Sequence, residues 1–246
     1  MGGRDHHALC GQLMPAEKRG NGAGDQKHQP QWRQRLPGTG RRRLYPDRHG
    51  DGGPTRRPCE GAGCRPGNLK LVILTHGDVD HAGNGAYLHA EYGAKVALHR
   101  DDAGMVERGD MNWNRKARPD RISTLGRVVM PISRILALFG GPSKLETFAP
   151  DLYLEDGQDL SGYGLAAQVL HLPGHSRGSI GILTAGGALF CGDLLMNMTR
   201  PAIHFMIDDL PAARASIQRL QGLGVRTVYP GHGKPFAWEA FARSER

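Results

Sequence analysis

A mixed α/β domain is predicted for residues 69–246, because strand and helix patterns recur there. A continuous apolar run at residues 69–74, "LKLVIL", is typical of a strand buried on both faces. Two later apolar runs flank the turn dipeptide Gly186-Gly187, which indicates a β-hairpin. Segments with helix signals lie between the strands, but without the regular alternation of a doubly wound parallel sheet.

The remaining elements follow in order. The segment "GAYLHAEYGA" predicts a helix closed by Gly93, and "KVALH" predicts the next strand. Later strands are indicated by "LYLEDGQDL", "LAAQVLHL" and "SIGILTAGGALFCGDLL". The segment "DDLPAARASIQRLQGLGV" predicts a helix with Pro211 in its first turn and Gly222 beyond its end. A final strand, "RTVYPGHG", leads into a histidine flanked by glycines.

Residues 101–147 interrupt this series. A polar, arginine-rich stretch is followed by the apolar stretch "ISTLGRVVMPISRILALFG", whose helical pattern is broken at Pro131. A lid over a pocket and a helical hairpin on the surface both fit this pattern. We therefore expect a helical insert at about residues 101–147 within the domain.

The first 68 residues differ in composition from the rest of the chain. They hold 14 Gly and 7 Pro but no Val, Ile or Phe, so they cannot bury enough apolar surface to offset the entropy of ordering. They carry 13 Lys/Arg against 6 Asp/Glu, whereas residues 69–246 carry 19 against 18. The net charge of +8 therefore resides mainly in this segment. The near-neutral domain that follows argues against a specific nucleic-acid partner.

Two interpretations of residues 1–68 stay open, a disordered basic tail and a segment translated out of frame. A one-base shift lets residues 45–51, "YPDRHGD", spell Thr-Leu-Ile-Asp-Thr-Gly-Met. The same shift lets residues 32–38, "WRQRLPG", spell Gly-Val-Asn-Ala-Phe-Leu-Val. Both alternative peptides are rich in strand-forming residues that the segment otherwise lacks. Codon choice in the coding DNA tests this frameshift hypothesis.

The sequence predicts a cytoplasmic protein that does not enter a membrane. No apolar run approaches the ~20 residues of a membrane span, and the start "MGGRDHHALCGQL" lacks the apolar core of a signal peptide. The four cysteines form no Cys-x-x-Cys pair and no dense disulfide pattern, which favours a reducing compartment. The oligomeric state is not predicted.

Several side chains that can bind a metal ion lie where predicted strands end. Four of them follow the first strand in "THGDVDHAGN", namely His76, Asp78, Asp80 and His81. Three more are predicted in turns after later strands, namely His175, Asp193 and His232. A glycine beside each of these three lets the backbone turn sharply. Strand ends can bring distant side chains to one cavity, so we expect these groups to converge.

The pattern "THGDVDHAGN … PGHSRGSIG … CGDLL … YPGHGKP" resembles the metallo-β-lactamase superfamily, whose hallmark is His-x-His-x-Asp-His followed by a His, an Asp and a His. The resemblance covers residue 69 to about residue 240. It implies an α+β fold, a four-layer αββα sandwich, here incomplete at the N-terminus because the family's first strands are not found in frame. It also implies two divalent metal ions. One ion would be held by His76, Asp78 and His175, the other by Asp80, His81 and His232, with Asp193 bridging.

The resemblance implies hydrolysis of a small molecule. Two cations that share a water lower its pKa towards neutrality, so a metal-bound hydroxide can attack at pH 7. Asp80 would orient this nucleophile and pass a proton to the leaving group. The expected substrate is a small ester, thioester, lactone, β-lactam or phosphodiester. An iron-dependent redox enzyme of the same fold and a truncated metal-binding product without turnover are the alternatives.

Asp78 departs from the hallmark, which has a histidine at this position. A carboxylate is a harder ligand than an imidazole, so zinc is expected but manganese or iron is possible. Asp78 is predicted to ligate directly in a dinuclear site; a water-mediated contact and a mononuclear enzyme are the alternatives. A structural interpretation is favoured for the other singled-out side chains, namely His89, His99, His171, Arg177, Cys191 and His204.

Overall fold

The structure of the chain is a computed structural model that describes residues 66–122 and 145–244. The tail and frameshift hypotheses concern a segment that lies almost entirely outside these residues. The apolar stretch of the expected insert falls almost entirely within residues 123–144, which lie outside them as well, so these expectations stay predictions. None of the helices within the described ranges is both long enough and apolar enough to cross a bilayer.

The described ranges contain eleven strands and five helices. The strands are β1 (Leu71–Ile73), β2 (Lys95–Leu98), β3 (Arg121–Ile122), β4 (Leu152–Tyr153), β5 (Ala167–His171), β6 (Ile180–Thr184), β7 (Ala188–Asn197), β8 (Ala202–Ile203), β9 (Met206–Ile207), β10 (Thr227–Gly233) and β11 (Phe236–Ala237). The helices are α1 (Val79–Ala82), α2 (Gly85–Tyr92), α3 (Arg100–Arg108), α4 (Leu210–Leu220) and α5 (Trp238–Ser244). A single 3₁₀ turn spans Ser161–Tyr163.

The strands form two main sheets. The smaller sheet has the order β1-β2-β4 and is parallel throughout. The larger sheet has the order β11-β10-β7-β6-β5, with β8 paired to β7. Within it β10 runs parallel to β7, and the other pairs are antiparallel. A separate antiparallel pair joins β3 to β9.

The two main sheets pack face to face, and helices cover their outer faces. Apolar residues of β1, β2 and β4 meet those of β5 and β6 in one core cluster, which includes Ala97, Val169 and Ile182. A second cluster joins β7 and β10 to α4 and α5. Two further clusters pack α1, α2 and α3 on the smaller sheet. The layers therefore follow the order helix, sheet, sheet, helix, as the resemblance implies.

Local sequence signals account for several element boundaries. Helix α2 ends where predicted, because Gly93 adopts the left-handed φ of 64°. Helix α4 begins at the cap Asp209, whose carboxylate accepts a hydrogen bond of 2.9 Å from the backbone N of Ala212. The predicted hairpin is confirmed, since β6 and β7 pair antiparallel across the turn that contains Gly187.

Two sequence-based expectations about strands are wrong. The strand predicted over "LYLEDGQDL" ends at Tyr153, because the chain turns at Gly157, where φ is 77°. Asp193 and His232 were expected in turns beyond strands, but β7 and β10 continue through them. The β7–β10 register shifts between Tyr229 and His232, and such irregularities redirect side chains near functional sites.

Candidate metal centre

The first ligand segment joins β1 to α1 and carries four of the seven predicted site residues. His76 lies in the connecting loop, Asp78 is the residue before α1, and Asp80 and His81 are on α1 itself. The ring of His76 is oriented by its neighbour, because the Nδ1 atom of His76 lies 3.1 Å from the hydroxyl oxygen of Thr75. This bond leaves the Nε2 atom of His76 directed towards the other candidate ligands.

The structure brings all seven predicted side chains together around the carboxylate of Asp193. Its Oδ1 atom lies 3.3 Å from His81 Nε2. Its Oδ2 atom lies 3.2 Å from His232 Nε2, 3.8 Å from His175 Nε2 and 3.9 Å from His76 Nε2. The carboxylate thus lies between two sets of side chains that come from different strands and loops.

One set is the buried group, His76, Asp78 and His175, whose potential ligand atoms all lie within 4.8 Å of one another. Asp78 Oδ2 lies 2.9 Å from His175 Nε2, and Asp78 Oδ1 accepts a hydrogen bond of 2.8 Å from Arg115. Burial alone would raise the pKa of Asp78, but His175, His76 and Arg115 hold it well below its usual range. Asp78 is therefore an ionised carboxylate at neutral pH.

The other set is the open group, Asp80, His81 and His232, which also lie within 4.8 Å of one another. The Asp80 side chain is 55% exposed and that of His232 is 30% exposed, so this side of the centre faces solvent. Asp80 Oδ2 lies 3.3 Å from His232 Nε2. The carboxylates of Asp193 and Asp80 raise the pKa of His232 to about 10.

These residues fit a metal centre. Within the described part of the chain, the buried atoms His76 Nε2 and Asp193 Oδ1 have no hydrogen-bond partner. Buried polar atoms are normally paired, so unpaired atoms among closely spaced imidazole and carboxylate groups fit a shared cation. Gly231 permits the close approach, because a Cβ atom there would collide with the Asp193 carboxylate and with the His81 ring. The imidazole and carboxylate donors suit zinc, manganese or iron.

Three contributors to the site were missed or set aside by sequence reasoning. Asp102 on α3 is buried and accepts hydrogen bonds from the backbone N of Gly77 (3.2 Å) and of Gly178 (2.8 Å) and from the hydroxyl of Ser176 (2.6 Å). It therefore ties the loop of His76 to the loop of His175. Arg115 reaches Asp78 from the segment after α3. No spacing in the sequence indicates either contact.

The third contributor is His204, for which a structural interpretation was favoured. Its Nε2 atom lies 3.4 Å from Asp193 Oδ2, so the side chain is part of the centre. Burial lowers its pKa to about 4, and the imidazole is neutral at pH 7. The sequence signal was weak, because "PAIHFMID" contains a single histidine between two short apolar runs.

The other side chains that were singled out lie outside the centre. His99 and His171 stack on each other with ring centroids 4.2 Å apart. Arg177 lines a cavity of about 260 Å³ together with Lys116 and Asp208. Cys191 is buried, and this burial raises the pKa of its thiol to about 12, which excludes a thiolate nucleophile at neutral pH.

Comparison with known proteins places this centre in a family. Residues 52–232 match the model of the metallo-β-lactamase superfamily. Over 199 residues the chain is 30% identical to the acyl-coenzyme A thioesterase MBLAC2 of Bos taurus, an overlap of 75% of this chain and 62% of that protein. It is 28% identical over 131 residues to the hydroxyacylglutathione hydrolase GloC of Haemophilus influenzae, 52% of this chain and 50% of the relative. The chain thus spans about three fifths of the length of the thioesterase.

Solved structures share the fold. The crystal structure of TTHA1623 in a di-iron-bound form aligns with a TM-score of 0.51 and 29% sequence identity, covering 70% of this chain and 74% of that one. The helix–sheet–sheet–helix layering and the family match agree with the α+β sandwich expected from the motifs. The chain belongs to the metallo-β-lactamase superfamily.

Proposed function

We propose that the chain is a metal-dependent hydrolase that cleaves small thioesters. The observation that carries the proposal is the arrangement around Asp193, where two sets of nitrogen and oxygen atoms face a shared carboxylate and two buried atoms lack hydrogen-bond partners. The thioester preference is supported by relatives named as an acyl-coenzyme A thioesterase and a hydroxyacylglutathione hydrolase.

Two divalent ions are the proposed cofactors. The buried group (His76, Asp78 and His175) would hold one ion, and the open group (Asp80, His81 and His232) would hold the other, with Asp193 between them. When bound, the ions supply a water of lowered pKa and polarise the carbonyl oxygen of the substrate. Zinc is the expected metal, and the carboxylate of Asp78 makes manganese or iron acceptable.

Asp80 is the proposed catalytic residue. Its carboxylate is the most exposed of the candidate ligands, so it can contact both a substrate and a water at the mouth of the centre. It would accept a hydrogen bond from the attacking water and carry the proton towards the leaving sulfur. A thiolate is a good leaving group because the pKa of a thiol is only about 8.5. Modest proton assistance therefore suffices.

A second candidate is iron-dependent oxidation on the same fold. One observation favours it: TTHA1623, which shares the fold and 29% sequence identity with this chain, was solved in a di-iron-bound form. Iron also accepts carboxylate ligands such as Asp78. This reaction would consume oxygen, whereas thioester hydrolysis releases a free thiol without oxygen. The two candidates are therefore distinguishable in one preparation.

Metal-reconstituted protein tests the proposal. The full chain is stripped of metal, loaded with zinc, manganese or iron, and assayed with acyl-coenzyme A and acylglutathione thioesters beside an oxygen ester, a lactone and a β-lactam. Thiol release is followed with a chromogenic disulfide, and oxygen uptake is followed with an electrode. We expect thiol release to be fastest, with oxygen unchanged.

Two variants provide the control. His81→Ala removes a candidate ligand and should abolish thiol release, whereas His89→Ala alters a half-exposed histidine of α2 that lies outside the centre and should leave it unchanged. Faster cleavage of the β-lactam or ester than of every thioester would contradict the proposed substrate class. Bound metal without any turnover would instead support a truncated product that binds metal but does not catalyse.

A further inference from the structure

We propose that His204 is an eighth ligand of the centre, which supplies the buried side with an imidazole nitrogen where Asp78 replaces the histidine of the family motif. The inference rests on the proposed metal centre and goes beyond its seven motif residues. It concerns one nitrogen atom, Nε2, whose surroundings are described by the structure.

The backbone holds His204 next to Asp193. The residue follows β8 and precedes β9, and its backbone N donates a hydrogen bond of 3.2 Å to the carbonyl of Leu194, the residue after Asp193. Only 1% of the residue is exposed. Its position is therefore fixed by the same strand, β7, that carries the central carboxylate.

The ring of His204 has the orientation of a metal-binding histidine. Its Nδ1 atom lies 3.1 Å from the backbone carbonyl of Met206, and the Nδ1 atom of His175 lies 2.9 Å from the same oxygen. Histidines that bind metals usually donate the N–H of one ring nitrogen to a carbonyl or carboxylate, which leaves the other nitrogen free to coordinate. The Met206 carbonyl thus orients two imidazoles. One belongs to His175, a candidate ligand predicted from the motif, and the other belongs to His204, which the motif does not include.

The other ring nitrogen points into the centre and is unpaired. Among the described residues, His204 Nε2 is buried without a hydrogen-bond partner, although Asp193 Oδ2 is only 3.4 Å away. The potential ligand atoms of His175, Asp193 and His204 lie within 4.8 Å of one another. A buried nitrogen with no partner lowers stability, and a cation between these three groups would satisfy it.

A purely structural histidine would show a different pattern, with both ring nitrogens satisfied or exposed. Asp78 explains why an additional nitrogen is useful. One of its oxygens is hydrogen-bonded to Arg115, so a single oxygen, Oδ2, faces the other ligands of the buried group. His204 would add a nitrogen beside His175 and Asp193, because the potential ligand atoms of these three residues lie within 4.8 Å of one another. A mixed set of imidazole nitrogens and carboxylate oxygens suits iron and manganese as well as zinc.

Metal binding by a conservative variant tests the proposal. His204→Gln removes the imidazole but keeps a neutral, polar side chain of similar size, and His89→Gln serves as the matched control outside the centre. Metal-free wild type and variants are titrated with manganese, iron(II) and zinc against a chromophoric chelator, and ions per chain are counted by elemental analysis. We expect His204→Gln to weaken the tighter-bound ion at least about tenfold, whereas His89→Gln leaves it unchanged.

Equal affinities and stoichiometries for wild type and His204→Gln would overturn the inference while leaving the metal centre intact. A wild-type chain that binds no metal would overturn both. A second measurement covers a variant that fails to fold: crystals of metal-loaded wild type should place His204 Nε2 about 2.0–2.2 Å from an ion. A separation beyond about 3 Å would exclude ligation.

Discussion

The two halves of the centre differ in how the protein holds them. In the buried group His76 and His175 are at most 1% exposed, and each ring is oriented by a contact to Thr75 or to the Met206 carbonyl. In the open group the side chains of Asp80 and His232 are 55% and 30% exposed, and they mainly contact each other and Asp193. A site with one rigid side and one accessible side can retain a cation while it admits a substrate.

The strongest test of this two-sided arrangement is Asp193→Ala, because the Asp193 carboxylate approaches imidazoles of both groups. Without its carboxylate both halves lose an anion, and five imidazoles lose an acceptor that lies 3.2–3.9 Å from their Nε2 atoms. We expect the metal content to fall below one ion per chain and hydrolysis to fall about a thousandfold. Elemental analysis and steady-state kinetics measure the two effects.

The control for this substitution is Asp159→Ala, at an exposed aspartate beside the 3₁₀ turn. It should leave metal content and rate unchanged. Full activity of Asp193→Ala with two bound ions would show that the two groups bind their ions independently. The division into halves would then stand, but the role of Asp193 as their link would be lost.

Asp102→Ala probes the framework of the buried side. The substitution leaves two backbone N–H groups and the Ser176 hydroxyl without their shared acceptor in a buried position. We expect the free energy of unfolding to fall by about 3 kcal/mol in metal-free protein, as measured by urea denaturation. Asp101→Ala, at the neighbouring half-exposed position of α3, should cost much less. Equal losses for the two variants would refute the anchoring role of Asp102.

Arg115→Met tests whether the ion pair to Asp78 organises the buried group. Methionine preserves the apolar stem but removes the donor that holds Asp78 Oδ1 at 2.8 Å. Loss of a partner that orients a ligand typically weakens metal binding 10–100-fold, so we expect about a tenfold weaker affinity for the ion on the buried side. Arg118→Met, at an exposed position three residues away, is the control. Tighter binding by Arg115→Met would mean that repulsion between arginine and cation dominates.

The sequence predicted the seven candidate ligands because their signals are local. A strand followed by a ligand-rich loop and a glycine beside each later ligand are visible within about ten residues. The caps of α2 and α4, Gly93 and Asp209, are local as well. These features depend on local backbone conformation. Glycine at a helix end and aspartate at a helix start indicate that conformation directly.

The sequence did not predict the residues that hold the ligands in place. Asp102 and Ser176 are 74 positions apart, and Arg115 and Asp78 are 37 apart, so their contacts depend on how helices and sheets pack. His204 is placed beside Asp193 by long-range packing, in which Leu194 accepts a hydrogen bond from its backbone N and the Met206 carbonyl contacts its ring. The continuation of β7 and β10 through Asp193 and His232 was also missed, because glycine and proline near these residues suggested turns. Instead, both residues lie within the strands, and the register of the β7–β10 pair is irregular beside them.

The smallest expected effect lies outside both groups, at the ion pair between Arg219 of α4 and Asp156. Their two bonds are 2.7 and 2.9 Å long, but both side chains are at least 40% exposed. Arg219→Ala should therefore lower the free energy of unfolding by less than about 1 kcal/mol at pH 7 and should leave metal affinity unchanged. Arg214→Ala, at an exposed position of the same helix, controls for the change in helix propensity.

The pH dependence of this loss has a defined sign. Burial would raise the pKa of Asp156, but Arg219 and the backbone N–H of His171 lower it below its ordinary value. The pair therefore stabilises the fold above the unfolded-state pKa of about 3.9, and this contribution is lost as the pH falls through the lower folded-state pKa. Urea denaturation of metal-free protein should show the Arg219→Ala deficit at pH 7 and a smaller one near pH 3. An unchanged deficit would mean that Arg219 stabilises the fold through packing and not through its charge. A change in the metal affinity of Arg219→Ala would show that the buried group depends on contacts that reach α4.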